Sequence, residues 1–457
     1  MGKALLIALA IDKLSYPAKG RFRLKGMQRR PLLGLAYICS AIKTVGLDSE
    51  LLDQSVSDFS IEDLISRIEN NRYVFIGFYS QVLIKDKLIA YIKAIREKTT
   101  EIKIVVGGPA YMFSEEFLKG GCDIVCKGEG ELTILEIAEY LQGRRAIESI
   151  DGIAYMKNGS VVSNRERELI VDLDSISFPL WDKTKVRCYY DSYILPMKST
   201  FVPMVTSRGC VYRCAFCSSP YLWKNNYRTR SIENVLKETD ILVWRYHVRY
   251  IIFQDDAFGT DNNWLRKFCL ALIERGYKKL HWMCILHPLV FKESPEQLIP
   301  LMKRAGCNLF VFGLQSVSPD VSRNINRDPS EPEVLKKIIK IANNAGILTS
   351  VDFILGLPGE TGQTIRADID FALEARPHLV NFHPLRLEPG SELAAGYQNG
   401  KVCAFSQEEL LKSCHRANRE FYFNIANLSR ILAFVCKRNP LLLFKVPRFY
   451  MLLKHYM

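Results

Sequence analysis

Short, almost wholly apolar runs alternate with amphipathic stretches through the first third of the chain. The runs are residues 4–11, 73–78, 102–106 and 122–126, each of strand length and bounded by polar or glycine-bearing segments. Helical spacing fills the intervals at 34–45, 61–70, 85–98 and 131–141. Such alternation predicts an α/β domain, a doubly wound, Rossmann-like parallel sheet. Ligands of these sheets lie at the carboxyl ends of the strands, here the loops 12–30, 79–81, 107–111 and 127–131. Asn158-Gly159, between apolar residues 150–155 and 161–162, predicts a hairpin because Asn-Gly supplies the positive φ of a tight turn. Residues 171–181 read as a linker. From Pro203 a strand-then-helix pattern recurs, with strands at 203–206, 250–253, 281–284, 309–312, 349–355 and 379–382. Right-handed crossovers would curl these into a partial (β/α)6 barrel with a lateral mouth, its active site at the carboxyl ends. From 407 the chain reads helical. The expected division is 1–165, a linker at 166–199, a barrel at 200–400 and a helical C-terminal region at 401–457.

Composition adds compartment and charge. With 457 residues, 48% hydrophobic and 24% charged, the chain can build two or three cores. An odd 13 cysteines and no signal peptide point to a reducing cytoplasm, where thiols stay free to bind metal. The net charge of +13 could attract phosphates, nucleic acid or an anionic membrane. Much of it sits at the ends, which weakens the case for a nucleic-acid groove. Arg430, Lys437, Arg438, Lys445, Arg448 and Lys454 stand among Leu, Phe and Tyr with no acid nearby. That tail suits either peripheral contact with an anionic membrane or a helical cap on the barrel, and Pro440 and Pro447 favour the cap. Lys25, Arg29 and Arg30 either meet an anion or are solvated surface charges. No apolar run is long enough to span a bilayer.

The chemistry concentrates at Ser207-Arg208-Gly209-Cys210-Val211-Tyr212-Arg213-Cys214-Ala215-Phe216-Cys217-Ser218. Cys210, Cys214 and Cys217 can converge on one metal site. Three thiolates are one short of the Cys₄ set of a cubane cluster, which leaves one iron without a protein ligand. Zinc would ask for a fourth Cys or His nearby, and none follows. A disulfide framework suits small secreted chains, unlike this one.

C-x₃-C-x₂-C with an aromatic before the last Cys resembles the signature of the radical S-adenosylmethionine (SAM) superfamily. The resemblance implies a [4Fe-4S] cluster on Cys210, Cys214 and Cys217 whose open iron chelates SAM, and reductive cleavage to a 5′-deoxyadenosyl radical. Later strand ends carry the rest of the resemblance. Asp255-Asp256 with Phe258 is similar to the subgroup's Asp-Asp-x-Phe element at the SAM amino group, though the pair also suits a cap on the helix near Asn262. Gly313-Leu314-Gln315-Ser316 matches Gly-x-Glu/Gln-Ser, with Gln315 and Ser316 at ribose or carboxylate. Phe353-Ile354-Leu355-Gly356-Leu357-Pro358-Gly359-Glu360-Thr361 is very close to the turn beside adenine, which brings in Gly356 and Glu360. Phe216 either offers backbone to the adenine edge or is a packed aromatic. Pro389-Gly390-Ser391 matches the last loop. Arg228 and Arg230 either bind the SAM carboxylate or are surface charge. Where members often carry an arginine, this chain has Ile285, Leu286 and His287. Cys284 is either a hydrogen donor to a product radical or a small core residue.

The first domain resembles the cobalamin-binding domain of one large subgroup. Gly107-Gly108-Pro109 and Gly128-Glu129-Gly130 let backbone approach a flat ligand, and with Ser80 and Gln81 they form the implied corrin contacts. Like that subgroup, the chain lacks Asp-x-His-x-x-Gly, its first histidine being His247. The resemblance implies cobalamin-dependent methylation of an unactivated carbon. Radical dehydration, epimerisation, cyclisation or ring contraction is the alternative, and a nucleic-acid or membrane-binding protein with a structural cluster is the outlier. Expected partners are a small-molecule, lipid or peptide substrate and an electron donor such as flavodoxin or ferredoxin, with no nucleic acid.

Overall fold

The computed structural model describes residues 2–11, 30–184, 186, 189, 200–397 and 402–430. Lys25 and Arg29, and the tail bases Lys437, Arg438, Lys445, Arg448 and Lys454 with Pro440 and Pro447, lie outside the described residues. The chain divides into two compact units, Met1–Asp191 and Ser192–Met457.

In the first unit the elements run β1 (Lys3–Ala8), α1 (Leu33–Thr44), β2 (Asp48–Asp53), α2 (Ile61–Glu69), β3 (Tyr73–Tyr79), α3 (Lys85–Lys98), β4 (Lys103–Gly107), α4 (Ser114–Lys119), β5 (Ile124–Cys126), α5 (Gly130–Leu141), β6 (Ile153–Lys157) and β7 (Ser160–Ser163). The sheet order is β2-β1-β3-β4-β5-β6-β7. The first five strands are parallel, and the Asn158-Gly159 hairpin adds β6 and β7 antiparallel at one edge. The sheet is thus mixed rather than wholly parallel. Strand β2 escapes the apolar-run criterion because its sequence DSELLD is mostly polar, as suits the opposite edge. Residues two apart share a face, so Leu5, Ile7 and Leu9 join one apolar layer while Ala4, Leu6 and Ala8 join the other. Both faces are buried under helices, which is why β1 reads as an unbroken apolar run. A reciprocal Ser60–Asp63 capping box starts α2.

The second unit begins with β8 (Phe201–Met204), followed by a small ribbon of β9 (Ser207–Arg208) and β10 (Arg228–Thr229) with α6 (Ser219–Leu222) between them. Then come α7 (Ile232–Asp240), β11 (Tyr250–Phe253), α8 (Asn262–Arg275), β12 (His281–Leu286), α9 (Pro295–Arg304), β13 (Cys307–Gln315), α10 (Pro319–Asn324), α11 (Glu331–Asn344), β14 (Leu348–Leu355), α12 (Gly362–Ala375), β15 (Leu379–Pro384), α13 (Glu392–Gly396) and α14 (Gln407–Phe423). Its large sheet has the order β15-β14-β13-β12-β11-β8, parallel throughout. Among the described residues β8 and β15 do not pair, so the barrel is partial. Alternation again divides the strands. Val351, Phe353 and Leu355 are fully buried, with Phe353 stacked on Phe382 at 4.7 Å and edge-on to Phe371 at 6.5 Å. Ser350, Asp352 and Ile354 take the inner face.

Arg430, grouped by sequence with the basic tail, instead donates to the carbonyls of Arg376 and Pro377, between α12 and β15. Among the described residues no helix is long and apolar enough to cross a membrane. Truncating Phe353 to Ala should cost about 3–5 kcal/mol, read as a lowered midpoint of denaturant unfolding. A change of under about 1 kcal/mol would mean that the layer repacks.

Candidate active site

The three cysteines sit on the loop between β9 and β10, at the carboxyl end of β8. Gly209 opens the loop at φ +90, a conformation glycine alone adopts readily, and a Cβ there would overlap the Asn226 carbonyl. Asp255, at the end of β11, ties the loop's root: it accepts from Thr206 N–H at 2.9 Å, Thr206 Oγ1 at 2.7 Å and Ser207 Oγ at 2.6 Å. Further along, Ala215 N–H donates to Ile325 O (3.1 Å) and Leu393 N–H to Ala215 O (2.9 Å). Asn326 Nδ2 reaches Arg213 O at 3.2 Å and Glu392 Oε2 at 2.9 Å. Tyr212 stacks on His287, centroids 3.5 Å apart, and Phe216 packs on the apolar cluster of Ala215, Val321, Ile325, Leu357, Leu385 and Leu393. The Phe216 ring is therefore a packed aromatic.

Cys214 is buried, whereas Cys210 and Cys217 are half-buried. Burial, followed by the charges of neighbouring thiols and Asp256, pushes Cys210 up to about 12 and Cys217 up to about 11. Such thiols ionise only when a metal takes the charge. Among the described residues no three His, Cys, Asp or Glu side chains are grouped to hold one ion. A cubane binds each thiolate on a different iron, so its ligands stand wider apart, and this donor set fits. Arg327 adds a cation: Nη1 points at Cys214 Sγ (3.8 Å), while Nη2 donates to Gly313 O (2.5 Å) and to Glu331. His287 lies beside this brace, its Nε2 3.5 Å from Glu331 Oε1 but without a hydrogen-bond partner among the described residues. Desolvation and the Arg327 charge hold its pKa down to about 2, so it stacks on Tyr212 as a neutral ring. Sequence reasoning missed Arg327 and Glu331, because no motif spacing connects Arg327 with a cysteine 113 positions earlier.

The strand-end residues separate into groups that face outward and groups that hold the frame. Neither aspartate of the 255–256 pair caps α8; Asp261 does, accepting from Asn263 and Trp264 N–H. Asp255 is buried and braces the loop, whereas Asp256 is exposed and accepts from Gly209 N–H at 3.2 Å. Phe258 is buried in an aromatic cluster with Phe253, Phe268 and Trp282. Gln315 lies at φ +73 where β13 shifts register against β14; strained backbone at a bulge often re-aims a functional side chain.

Four expected SAM contacts are otherwise engaged. Arg230 is 4% exposed and its guanidinium donates to Glu238, Val205 O and Asn234. Ser316 Oγ donates to Asp368 at 3.1 Å, and Val317 N–H meets the same carboxylate at 2.6 Å. Glu360 closes its own turn by accepting from Gly356 N–H. Gly356, at φ +101, is a close-packing point where a Cβ would lie 2.7 Å from Leu410. These residues shape the site from behind. Arg228 lies over the Trp223 ring, 5.5 Å from its centroid. Cys284 is fully buried on the face of β12 that also carries Trp282, close enough to Cys269 and Cys307 for mutual electrostatic influence. It belongs to the core rather than to the inner face.

In the first unit the strand order places the switch point between β1 and β3, where such sheets bind ligands. Beyond β3, Ser80 is fully buried and its Oγ has no partner among the described residues. Gly108, at φ +111, approaches so closely that a Cβ would lie 2.6 Å from Ser80 O. Gly128, at φ +79, faces open space. Gln81 is half-buried and Pro109 exposed beside them, and Gly130 begins α5. An orphaned hydroxyl beside glycine backbone fits a flat, polar-edged ligand such as cobalamin. Glu129 does not share the rim: its side chain accepts from Ile170 N–H at 2.7 Å and anchors residues that follow the hairpin.

Two family models match, the radical SAM superfamily over residues 204–372 and the B12 binding domain over residues 29–138. The chain belongs to the radical SAM superfamily, in the subgroup with a B12-binding domain. Its radical SAM domain implies SAM and a [4Fe-4S] cluster, and its B12-binding domain implies cobalamin. An uncharacterized methyltransferase of Pyrococcus horikoshii is 29% identical over 79% of this chain and 77% of its own length. The anaerobic magnesium-protoporphyrin IX monomethyl ester cyclase of Rubrivivax gelatinosus is 26% identical over 79% and 65%. The cytidylyl-2-hydroxyethylphosphonate methyltransferase of Streptomyces wedmorensis is 26% identical over 79% and 76%. Among solved structures, the radical SAM methyltransferase TsrM from Kitasatospora setae, with cobalamin and a [4Fe-4S] cluster bound, aligns at TM-score 0.70 and 17% identity over 93% of this chain and 83% of that one. The cobalamin-dependent radical enzyme OxsB, with aqua-cobalamin and SAM bound, aligns at 0.66 and 19% over 91% and 56%. These two structures share the fold.

Two outcomes follow from the radical SAM domain's geometry. Gly209→Ala combines about 1–2 kcal/mol of left-handed strain with the clash at Asn226. Iron content after anaerobic reconstitution should fall severalfold with far-UV circular dichroism unchanged, and full iron loading would contradict the loop account. Burial raises Asp368 to about 7 from 3.8. An acid with a raised native pKa binds more protons folded than unfolded, so stability falls as pH rises from about 4 to about 7. Asp368→Asn should flatten part of that slope in pH-resolved denaturation, and an unchanged slope would contradict the assignment.

Proposed function

We propose that this protein is a cobalamin-dependent radical SAM methyltransferase acting on an unactivated carbon of a small-molecule substrate. The observation that carries the reading is a three-thiol loop in a radical SAM domain joined in one chain to a B12-binding domain. When bound, the cluster and SAM supply a 5′-deoxyadenosyl radical that takes a hydrogen atom from substrate, and cobalamin supplies the methyl group that a carbon radical cannot take from SAM by ordinary displacement. The methyltransferase relatives support the same outcome.

The residues divide the work. Cys210, Cys214 and Cys217 hold the cluster, with Arg327 balancing thiolate charge at Cys214. Asp256 receives the SAM amino group as a charge-assisted acceptor. The Gln315 amide and the backbone at Phe216 orient the nucleoside, while Asp255, Ser316, Glu360 and Arg230 fix the strand ends behind them. Ser80, Gln81, Gly107, Gly108, Pro109, Gly128 and Gly130 cradle the corrin. A small reducing protein such as flavodoxin or ferredoxin supplies the electron. The protein works in the cytoplasm, and the composition of residues 431–457 supports peripheral contact with an anionic membrane.

Radical ring formation is the second reading, favoured by the Rubrivivax cyclase at 26% identity. Anaerobic reconstitution with SAM and cobalamin separates the two. Methylation predicts 5′-deoxyadenosine, retained cobalt and a product heavier than substrate by one CH2, a methyl replacing the abstracted hydrogen. A product with no added methyl would overturn the methyltransferase reading. Cys210→Ala, Cys214→Ala and Cys217→Ala should each abolish cluster and nucleoside release, and nucleoside release by any of them would refute the ligand set.

A further inference from the structure

At the amino-terminal ends of the barrel strands, opposite the cysteine loop, residues 246–249, 276–280, 305–306, 345–347 and 376–378 lead from helices into β11, β12, β13, β14 and β15. These segments hold no Asp or Glu but carry Arg249, Lys278, Lys279 and Arg376. All four bases are exposed, and none is ion-paired among the described residues. Bases in a helix's last turn answer its dipole, as Arg245, Arg275 and Arg304 do here, but the loop bases lie beyond that need. Arg275 is already paired, with Asp240 at 2.6 Å. The acids closest in sequence, Glu274 and Glu374, stand in the last turns of α8 and α12, and Glu374 is held by Lys336.

Large apolar side chains protrude at the same end. Trp244 is 66% exposed, although tryptophan is highly buried on average. It sits on a π-helical turn, Ile241–Arg245, that prolongs α7, and such turns are rare and frequently mark functional sites. Tyr277, whose hydroxyl donates to Asp240, lies beside the indole with ring centroids 6.4 Å apart. Helix α14 runs back toward this end along β15: Asn418 Oδ1 accepts from Phe382 N–H at 3.1 Å, the Tyr422 hydroxyl donates to Val380 O at 2.9 Å, and Arg430 reaches the carbonyls of Arg376 and Pro377. It therefore delivers Phe423, 48% exposed, and beyond it Ile425, 84% exposed, to the amino-terminal end of β15. Residues 431–457 follow, and their sequence is apolar and basic with no acid.

We propose that this end of the barrel is a peripheral docking face for an anionic lipid bilayer, with Trp244, Phe423 and Ile425 entering the interface and Arg249, Lys278, Lys279 and Arg376 meeting lipid phosphates. Anionic headgroups attract the charge, and the boundary with the acyl chains takes up the apolar groups, indole above all. Nucleic acid would satisfy the bases but leave Phe423 and Ile425 in water. The inference extends, and in part rests on, the reading of residues 431–457 as a membrane-contacting segment, and it names the face of the fold from which that segment departs. Because the face lies opposite the cysteine loop, docking leaves the carboxyl ends of the strands free for a soluble substrate.

Flotation of the full-length protein with vesicles of phosphatidylcholine alone, or of phosphatidylcholine mixed with phosphatidylglycerol, tests this. Wild type should float with the anionic vesicles and not with the neutral ones, and added salt should weaken binding. The double variant Lys278→Glu/Lys279→Glu should bind anionic vesicles about tenfold more weakly or worse. Trp244→Ala should bind severalfold more weakly and lose the blue shift of tryptophan emission that wild type shows on binding. All three side chains are exposed, so circular dichroism should match wild type in both variants. Undiminished binding by either variant, or equal binding of neutral and anionic vesicles by wild type, would overturn the face. Capture of a single-stranded RNA homopolymer in place of vesicles would overturn it too, since the bases would then serve nucleic acid. A Lys437→Glu/Lys445→Glu/Arg448→Glu variant tests the tail separately: wild-type binding by it, with the face variants weakened, refutes the tail reading and upholds the face. Flotation needs neither cluster nor SAM, so its outcome is independent of the methyltransferase reading.

Discussion

Three soft donors confined to one short loop repel one another as thiolates, and the second unit is arranged around that constraint. Burial and mutual charge hold Cys210 and Cys217 protonated until metal arrives, so the loop must keep its shape without the bonds it exists to make. It does so through Gly209 packed against Asn226, the buried Asp255 carboxylate at its root, and backbone bonds from Ala215 to the segments before Arg327 and at α13. Each anchor belongs to a different strand end or loop. Parallel strands bring those ends together, so the sheet topology is what makes the loop possible.

The buried charges around it follow a common pattern. Arg230 with Glu238 and Arg327 with Glu331 are paired where side-chain exposure is 5% or less. Pairs of this kind add little net stability, yet removing one member leaves an uncompensated charge at a cost of about 3–5 kcal/mol. They fix geometry rather than strengthen the fold. Arg327 does more, because its second guanidinium nitrogen faces a candidate cluster sulfur. Hydrogen bonds to sulfur and nearby positive charge raise a cluster's reduction potential, so on the proposed ligand set the same residue would both brace the loop and tune what it holds.

Much of this was legible in the sequence, for identifiable reasons. The apolar runs gave most strands to within a few residues because the first sheet is buried on both faces and the barrel strands on their helix-covered face, while β2 escaped because an edge strand tolerates Asp and Glu. The cysteine spacing is local and could be read directly. Motif positions were legible, but individual roles within a motif were not: Asp255 and Asp256 are neighbours, yet one is buried as a brace and the other exposed. Ser316 and Glu360 sit where the resemblance places SAM contacts, but burial turns them toward Asp368 and Gly356. Arg327 and Glu331 had no motif to announce them, because the cysteine they brace comes from a distant segment that only the fold brings near.

The central claim is that the three-thiol loop holds a cubane with one iron open to SAM. Electron paramagnetic resonance of the anaerobically reconstituted, dithionite-reduced protein, recorded before and after SAM is added, tests it most directly. The account predicts a [4Fe-4S]⁺ signal whose g-values shift on adding SAM. A missing cubane signal, or one that SAM leaves unmoved, would contradict it.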